Sequence, residues 1–321
     1  NGDFDVSVMD YPMKRLLKLL WHQQQRLPDG VSRAIYKQMR KSGYAPAYEF
    51  RTDFYGLEYD GNLSNNIDFA IYFYGAFEKP LLYFMRDALN AIAGQEGVFV
   101  DVGANVGQHS LFMSQLTRTV VAFEPYAPVR ERLAHQIRLN AIRNITVEPV
   151  GLSDETAHQA FYAPTGDNAG IGSFDVSTTE KGNTLLGDLH VIRGDDYFAQ
   201  NPPDYLHLIK LDVEGFEKPA LQGLQKTLQR YRPLIICELT YGKSLSFKTR
   251  DEIMQCLPEN YVLLQFNKRK RDGSKDKRKD GRSRISGAYD LIPYAGPLDK
   301  GQDDLIACPL EYRQTIPRVG S

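Results

Sequence analysis

The sequence has few of the features that mark membrane-spanning, disulfide-bonded or generally polyanion-binding proteins. No apolar run approaches the roughly 18 residues that a membrane span needs. The three cysteines, Cys237, Cys256 and Cys308, are an odd number without metal-ligand spacing, so we expect buried free thiols in a reducing compartment. The formal net charge of −1 gives no overall preference for polyanions. We therefore predict a cytoplasmic protein, although a chain that starts at Asn1 leaves open whether a leader precedes it.

What is present is the composition of a globular protein. The 321 residues are 42% hydrophobic and 11% aromatic, enough for a full core in one large or two modest domains. We predict a helical and small β extension over residues 1–94 that packs on a core domain over residues 95–321. The aromatic-rich stretches 48–60 and 67–74 predict a small β-element with its turn at residues 60–62.

An apolar stripe at helical spacing runs through the N-terminal region. Met13, Leu16, Leu17 and Leu20 recur at i, i+3, i+4 and i+7, with basic residues beside them. This pattern predicts a helix that packs on the main domain. The alternative is a basic amphipathic helix that contacts an anionic membrane, which would make the protein peripheral to a membrane.

From residue 98 onward, strand-like and helix-like segments alternate. Such alternation is typical of a doubly wound α/β fold with a mostly parallel sheet. Residues 155–200 interrupt the pattern and predict an inserted β-hairpin region. The strands are predicted at residues 98–102, 119–124, 145–149, 206–212, 233–239, 261–266 and 304–308, and the helices between them near 108–116, 128–141 and 216–231.

A glycine-containing turn after the strand at 98–102 predicts a nucleoside site. Gly103, Asn105 and Gly107 lead into a helix, and Glu124 ends the next strand, where a carboxylate can accept both ribose hydroxyl protons. The dinucleotide pattern G-x-G-x-x-G would need glycine at 105 and 108, but the chain has Asn105 and Gln108. The turn therefore favours a ligand with ribose but no phosphate, such as S-adenosylmethionine.

Carboxylates at four predicted strand ends indicate where the chemistry takes place. Asp101, Glu124, Asp212 and Glu238 should converge, because ligands of such sheets lie beyond the carboxyl ends of the strands. A hydroxyl acceptor needs a general base, and Asp212 and Glu214 are the first candidates, with Glu238 second. In an extended chain Asp212 and Glu214 would point to different sides, so we expect them to have different roles.

Several of these segments together resemble the FkbM family of S-adenosylmethionine-dependent methyltransferases. The similar segments cover roughly residues 75–240: Phe99-Val-Asp-Val-Gly-Ala-Asn-Val-Gly107, Ala122-Phe-Glu-Pro125, Gly151-Leu-Ser-Asp154, Ile209-Lys-Leu-Asp-Val-Glu-Gly-Phe-Glu217 and Arg232-Pro-Leu-Ile-Ile-Cys-Glu-Leu239. The resemblance implies a seven-stranded class I methyltransferase (Rossmann-like) sheet and O-methylation of a glycan or natural product. The methyl group would be transferred in line, with assistance from the carboxylates of Asp212, Glu214 and Glu238.

The resemblance also implies cofactor contacts, residue by residue. The turn with Asp101, Gly103, Ala104, Asn105 and Gly107 would hold the methionine part of the cofactor. Glu124 and Pro125 would hold the ribose, Ser153 and Asp154 would lie near the adenine, and Asp212 would face both cofactor and acceptor. The family pattern leaves the role of His109 open, so we name it, with Asn168 and Ser173 of the insertion, as a substrate contact.

Residues 268–284 have the most unusual composition in the chain. They contain ten Lys or Arg and three Asp, a local charge of +7, and no apolar residue. We expect a solvated loop; the alternative is a clamp for an anionic substrate or a membrane surface. Nucleic acid is disfavoured as a partner, because the segment has no aromatic residue on which bases could stack.

Three alternatives stay open at this point. Paired carboxylates can hold Mg²⁺, but no ligand set in the sequence demands a metal, so we predict none. A NAD(P)-dependent oxidoreductase would share the fold. A non-catalytic protein could bind the cofactor and hold a polyanion through its basic segment. The sequence does not identify the acceptor or the oligomeric state.

Overall fold

A computed structural model of the protein describes residues 6–164, 172–267 and 287–320. Its N-terminal part contains four helices and one β-hairpin: α1 (Val6–His22), α2 (Asp29–Lys41), β1 (Glu49–Phe54), β2 (Leu57–Asn62), α3 (Asn66–Tyr74) and α4 (Lys79–Ile92). Elements are numbered in chain order, and helix α4 precedes the first strand of the core.

The β-element of this region differs from the prediction. The hairpin turn falls at Tyr55-Gly56 rather than at residues 60–62, and residues 66–74 form a helix instead of a strand. The side chain of Asn65 caps that helix by accepting hydrogen bonds from the backbone N–H groups of Ile67 and Asp68. Because α3 is buried on several sides, its aromatic residues do not show the one-sided helical periodicity of a surface helix.

The core domain alternates strands and helices as predicted. Its elements are β3 (Val98–Val102), α5 (Gln108–Ser114), β4 (Thr119–Phe123), α6 (Ala127–Leu139), β5 (Ile145–Glu148), β6 (Gly151–Ser153), β7 (Ala157–Pro164), β8 (Asn183–Arg193), α7 (Gly194–Gln200), β9 (Leu208–Leu211), α8 (Glu217–Gln222), α9 (Gln225–Tyr231), β10 (Leu234–Tyr241), α10 (Arg250–Gln255), β11 (Tyr261–Phe266), β12 (Tyr289–Pro293), β13 (Gly301–Pro309) and β14 (Val319–Gly320).

The main sheet has nine strands within the described residues, in the order β14-β12-β11-β13-β10-β9-β3-β4-β5. The five strands from β10 to β5 are parallel, and the remaining neighbours pair antiparallel. The prediction of an α/β sheet is confirmed, but a count of seven mostly parallel strands was wrong, because β12 and the short β14 extend the antiparallel edge. Chain order reverses between β3 and β9, which is where such sheets bind their ligands.

The predicted β insertion forms a small separate sheet. Strands β7 and β8 pair antiparallel, and β6 pairs parallel with β8. The insertion ends at β8, because residues 194–200 form helix α7. Asn168 lies outside the described residues, as does the whole basic segment 268–284, so the predictions for both remain predictions.

Two hydrophobic clusters cover the two faces of the main sheet. Phe99 of β3 joins the cluster that contains the aromatic residues of α2, α3 and α4, whereas Val98 and Val100 join the cluster under α8 and α9. This alternation is what a strand with both faces covered requires. Of the N-terminal apolar stripe, Leu17 packs on the first cluster, but Leu16 and Leu20 are exposed.

The cysteine prediction is confirmed: Cys237, Cys256 and Cys308 are buried free thiols. No helix in the described part of the chain is both long enough and apolar enough to cross a bilayer.

Candidate active site

The turn after β3 is held in place by backbone contacts. The N–H groups of Gly103 and Ala104 both donate to the carbonyl oxygen of Phe123, at 3.0 Å each. Gly103 has φ +81°, and a Cβ there would overlap the backbone carbonyl of Asp212. The turn therefore lies directly against the end of β9. Only glycine combines this conformation with so close an approach.

Glu124 fixes the next part of the turn. Its Oε2 accepts from the backbone N–H of Asn105 at 2.8 Å, and its Oε1 accepts from that of Tyr126 at 2.9 Å. Burial raises the pKa of this carboxyl to about 7, although both hydrogen bonds favour the ionised form. An ionised carboxylate offers about four acceptor positions, so two remain for ribose hydroxyls.

Asp101 lies beneath the turn and does not line the cleft described below. It is fully buried, accepts a hydrogen bond from Ser110 Oγ at 2.6 Å, and lies 3.9 Å from Lys210 Nζ. Burial raises its pKa, while Lys210 and Ser110 lower it. The side chain therefore links the β3 turn to β9, and its contact with the cofactor stays a prediction.

A cleft enclosing about 670 Å³, including the part open to solvent, lies at the sheet edge between β3, β4 and β9. The described residues that line it include three carboxylates, Glu124, Asp212 and Glu214, and neither lysine nor arginine. The rest of the lining is uncharged and mostly apolar: Val102, Gly103, Asn105, Phe123, Pro125, Tyr126, Val129, Gly151, Leu152, Phe161, Gly172, Ser173, Phe174, Val213 and Phe216. The cleft suits a ligand that is part apolar and part cationic.

Aromatic side chains form one wall of this cleft, and they were not identified from the sequence. The rings of Tyr126 and Phe161 have centroids 5.3 Å apart, and the ring centroid of Phe174 lies 5.1 Å from those of both Phe161 and Phe216. They come from the start of α6, the β insertion and the loop before α8, three distant segments. The sequence offered no signal beyond the aromatic residues themselves.

Some predicted cofactor residues lie away from the cleft. Ser153 is fully buried and donates to Asp154 at 3.0 Å, and the preceding residues Gly151 and Leu152 line the cleft instead. This placement does not support the predicted adenine contact of Ser153 and Asp154. The backbone of Ser153 is instead covered by Gly223, so that β6 packs tightly on α8.

Gly107 and Ala104 shape the turn without lining the cleft. Gly107 has φ +88°, and a Cβ there would meet Leu133 of α6. Ala104 is buried in the cluster shared with the N-terminal helices. Pro125 lines the cleft, as predicted for a neighbour of Glu124.

The three predicted catalytic carboxylates do come together. Oxygen atoms of Asp212, Glu214 and Glu238 lie within 4.8 Å of one another. Lys210 Nζ donates to Asp212 Oδ2 at 3.1 Å. Burial raises the pKa of Glu238 well above its usual range, and the charge of Asp212 adds to this effect.

The expectation that Asp212 and Glu214 point to different sides was wrong. It assumed an extended chain, but Glu214 has φ +51° and is followed by Gly215 at φ +104°, so the backbone turns sharply. Ser173 Oγ of the insertion donates to the Glu214 carbonyl at 2.7 Å and supports this turn. Ser173 is therefore a cleft residue that also positions Glu214.

The structure adds two acids that the sequence did not suggest. Glu78, which precedes α4, and Asp304 of β13 form a second group with Glu238, again with oxygens within 4.8 Å of one another. His109 is buried beside them, with its Nε2 3.8 Å from Glu78 Oε2. Burial lowers the pKa of His109, and Lys210 lowers it further, so the imidazole is neutral. His109 therefore lies behind the cleft rather than in its lining.

The cleft lies where the chain order of the sheet reverses, which is the ligand-binding position of Rossmann-like folds, the fold class of this protein. The family model described as "Methyltransferase FkbM domain" matches residues 101–263, about half of the chain. The chain belongs to this family of S-adenosylmethionine-dependent methyltransferases.

The individual relatives described here share less than 30% sequence identity with the chain. Hexuronic acid methyltransferase AglP of Haloferax volcanii is 29% identical over 184 residues, which cover 56% of this chain and 69% of AglP. AMB antimetabolite synthetase AmbE of Pseudomonas aeruginosa is 27% identical over 188 residues, 48% of this chain and 9% of AmbE. A crystal structure of methyltransferase FkbM from Methylobacillus flagellatus aligns with a TM-score of 0.39 at 17% identity, over 66% of this chain and 44% of that one. The chain thus spans less than half of the last two proteins.

Proposed function

We propose that this protein methylates a hydroxyl group of a glycan or natural-product acceptor, with S-adenosylmethionine as the methyl donor. The observation that carries the proposal is the charge of the cleft: three carboxylates line it, and no cation does among the described residues. A positively charged sulfonium is favoured there, whereas the pyrophosphate of a nicotinamide cofactor would be repelled. The same observation disfavours the oxidoreductase alternative.

The lining residues fit the parts of the donor. Glu124 offers acceptor positions for the ribose hydroxyls, and Phe161 and Phe174 offer an apolar wall for the adenine. The Gly103 turn brings these groups next to Asp212 at the end of β9. When bound, the cofactor supplies an activated methyl group for in-line displacement.

We assign Glu214 as the general base. It lines the cleft beside Asp212, and its carbonyl is fixed by Ser173. Asp212 Oδ2 is already engaged by Lys210, so Asp212 is better suited to orienting donor and acceptor than to moving a proton. Glu238 lies behind both and serves as a positioning group. A sugar hydroxyl is a weak nucleophile until its proton is removed, which is why such a base matters.

The acceptor class is supported by chemistry and by one relative. A carboxylate cluster with a base suits a neutral hydroxyl, and AglP is a hexuronic acid methyltransferase. The match to a methyltransferase family and to methyltransferase relatives disfavours the alternative of a non-catalytic cofactor-binding protein. An anionic substrate or membrane surface held by residues 268–284 remains a prediction from composition.

The test is incubation of the purified chain with carbon-13-methyl-labelled cofactor and an extract separated into glycans, lipids, small metabolites and nucleic acids. We expect label in a glycan or small-metabolite fraction, with the methyl carbon resonating as a methoxyl group. Glu124→Gln should reduce labelling through weaker donor binding, and Glu214→Gln should abolish it. Label found on nitrogen, or in nucleic acid alone, would contradict the proposal.

A further inference from the structure

Five acidic side chains form one continuous cluster beside the cleft. Glu78, Glu238 and Asp304 make one group, Asp212, Glu214 and Glu238 make another, and Glu238 belongs to both. In each group the carboxylate oxygens lie within 4.8 Å of one another. The cluster is assembled from the start of α4, the end of β9, β10 and β13, so it is a product of the tertiary fold.

The sheet itself forces two of these charges together. Glu238 of β10 and Asp304 of β13 are direct partners in the antiparallel register. Like charges in directly opposite positions destabilise a strand pair. A cation bound between the two carboxylates would offset this repulsion.

A second and independent observation comes from His109. It is 6% exposed, and its Nε2 has no hydrogen-bond partner within the described ranges. A buried ring nitrogen in this state is unusual, because nearly all buried polar atoms are satisfied. This nitrogen lies 3.8 Å from Glu78 Oε2, at the edge of the cluster. Two ligands of one ion at about 2.1 Å each are separated by about 3 to 4 Å, so this distance is compatible with a shared ion.

The position of Glu78 is also built into the fold. Gln108 Nε2 donates to the Phe77 carbonyl at 3.0 Å, and its Oε1 accepts from the Phe77 N–H at 2.6 Å. This paired contact fixes the backbone next to Glu78, which itself has φ +50°. Gln108 stands where the dinucleotide pattern has glycine, so the residue that argues against a pyrophosphate also supports the cluster.

We propose that Glu78, Glu238 and Asp304, with His109 Nε2 beside them, hold a divalent cation of the Mg²⁺ or Mn²⁺ class. Oxygen-rich donor sets select these ions, and an imidazole among the donors favours Mn²⁺. This proposal revises the prediction, made from the sequence, that the site holds no metal. Glu78 and Asp304 could not be recognised as ligands from the sequence alone.

The use of the ion, unlike its binding, rests on the proposed function. Asp212 and Glu214 separate the ion site from the donor cleft. An acceptor hydroxyl reaching this position would be polarised by the ion, and Glu214 would take its proton. The oxygen then forms a bond to the methyl carbon as the carbon–sulfur bond breaks, and the sulfur keeps the electron pair and leaves as a neutral thioether.

The experiment measures Mn²⁺ binding to the full chain after removal of metals with a chelator. Electron paramagnetic resonance of free Mn²⁺ counts bound ions, and Mg²⁺ is then added as a competitor. We expect one ion per chain, and an affinity lowered roughly 100-fold or more in Glu238→Gln and Asp304→Asn. Asp303→Asn is the matched control: it removes the same charge one residue away, at a position paired with Leu239 on the opposite face of the sheet. Its affinity for Mn²⁺ should be unchanged.

A second readout uses the wild-type chain, in case the variants fail to fold. Bound Mn²⁺ should broaden the ring signals of His109 in nuclear magnetic resonance spectra far more than those of the exposed His135. Absence of Mn²⁺ binding, equal affinity in wild type and both cluster variants, or an unaffected His109 signal would overturn the proposal. Binding of S-adenosylhomocysteine is measured in the same samples. Failure of that binding with Mn²⁺ retained would count against the methyl-donor function and leave the metal site standing.

Discussion

The proposed donor side of the cleft and the acidic side next to it are built in different ways. On the donor side, the contacts of Gly103, Asn105 and Glu124 are made within a short stretch of chain and mainly through backbone N–H groups. On the acidic side, Glu78, Glu238 and Asp304 come from segments far apart in the chain and are brought together by strand pairing and tertiary packing.

This difference separates two kinds of specificity. In the proposed function the backbone turn binds the donor, since it offers its geometry to a nucleoside of suitable shape. The side-chain cluster depends on which residues the fold brings next to the cleft, and in the proposed function it acts on the acceptor. We expect substitutions on the two sides to affect different measurements.

The largest effect is expected for Gly103→Ala. The new Cβ would overlap the carbonyl of Asp212, and the position has φ +81°. We expect a loss of about 3 kcal/mol or more in the free energy of unfolding, measured in urea, together with loss of donor binding. Gly94→Ala is the control: Gly94 also has positive φ, but no atom lies within 4 Å of the position that a Cβ would take there. It should lose only about 1 kcal/mol. Equal losses would show that the close contact of the two strand ends is unimportant.

Glu214→Gln should lower the rate of methyl transfer without weakening donor binding. Removal of the base should lower kcat by about 100-fold or more, because the acceptor proton has no carboxylate to receive it. The dissociation constant for S-adenosylhomocysteine should change little, since the donor turn is intact. Steady-state kinetics and calorimetric titration provide the two numbers. A variant with unchanged kcat would remove Glu214 from the mechanism and point to Asp212.

Glu124→Gln should have the reverse pattern. We expect donor affinity to fall about 10-fold, because hydrogen bonds to a charged group are replaced by bonds to a neutral amide. Calorimetric titration at saturating acceptor concentration would isolate this effect from kcat. A loss of kcat without a change in affinity would contradict the ribose role.

The same carboxyl predicts a pH dependence. With a pKa of about 7 in the free protein, Glu124 gains a proton as the pH falls through 7 and loses acceptor positions. Wild-type affinity for the donor should therefore weaken below pH 7 and level off above it, whereas Glu124→Gln should show no such step. Titrations of donor binding between pH 5.5 and 8.5, a range about this pKa, show whether the step is present in wild type and absent in the variant.

The smallest effect on this comparison concerns the cost of negative charge at Glu217, the first residue of α8. Burial raises the pKa of Glu217 to about 8, although its Oε1 accepts from the Gly215 N–H at 2.7 Å. A raised carboxyl pKa means that stability is fully present below about pH 4.5 and is lost as the pH rises through about 8. Glu217→Gln keeps an acceptor oxygen and removes that loss. It should match wild type near pH 5 and be more stable than wild type at pH 9 in urea unfolding. A variant less stable than wild type at pH 9 would contradict this.

The donor side was largely predictable from sequence because its signals are local. The apolar run before Asp101, the glycines of the turn and the carboxylate after the second strand are read directly along the chain. The structure places Glu124 and the Gly103 turn where the spacing indicated. The antiparallel strands β11 and β13 were likewise found from their apolar runs.

The remainder depended on long-range contacts that carry no local signal. Glu78 and Asp304 become neighbours only through strand register and the Gln108–Phe77 contact. The turn at Glu214 reversed the expected side-chain directions, because a left-handed residue before glycine cannot be recognised as such from spacing. A strand was predicted in place of helix α3 because burial on several sides hides the helical periodicity.

The most direct test of the central claim is a crystal structure of the full chain grown with S-adenosylhomocysteine. We expect ribose hydroxyls hydrogen-bonded to Glu124, the adenine against Phe161 and Phe174, and the sulfur directed toward Asp212 and Glu214. A nucleoside bound away from Glu124, or a sulfur directed away from the two carboxylates, would contradict it.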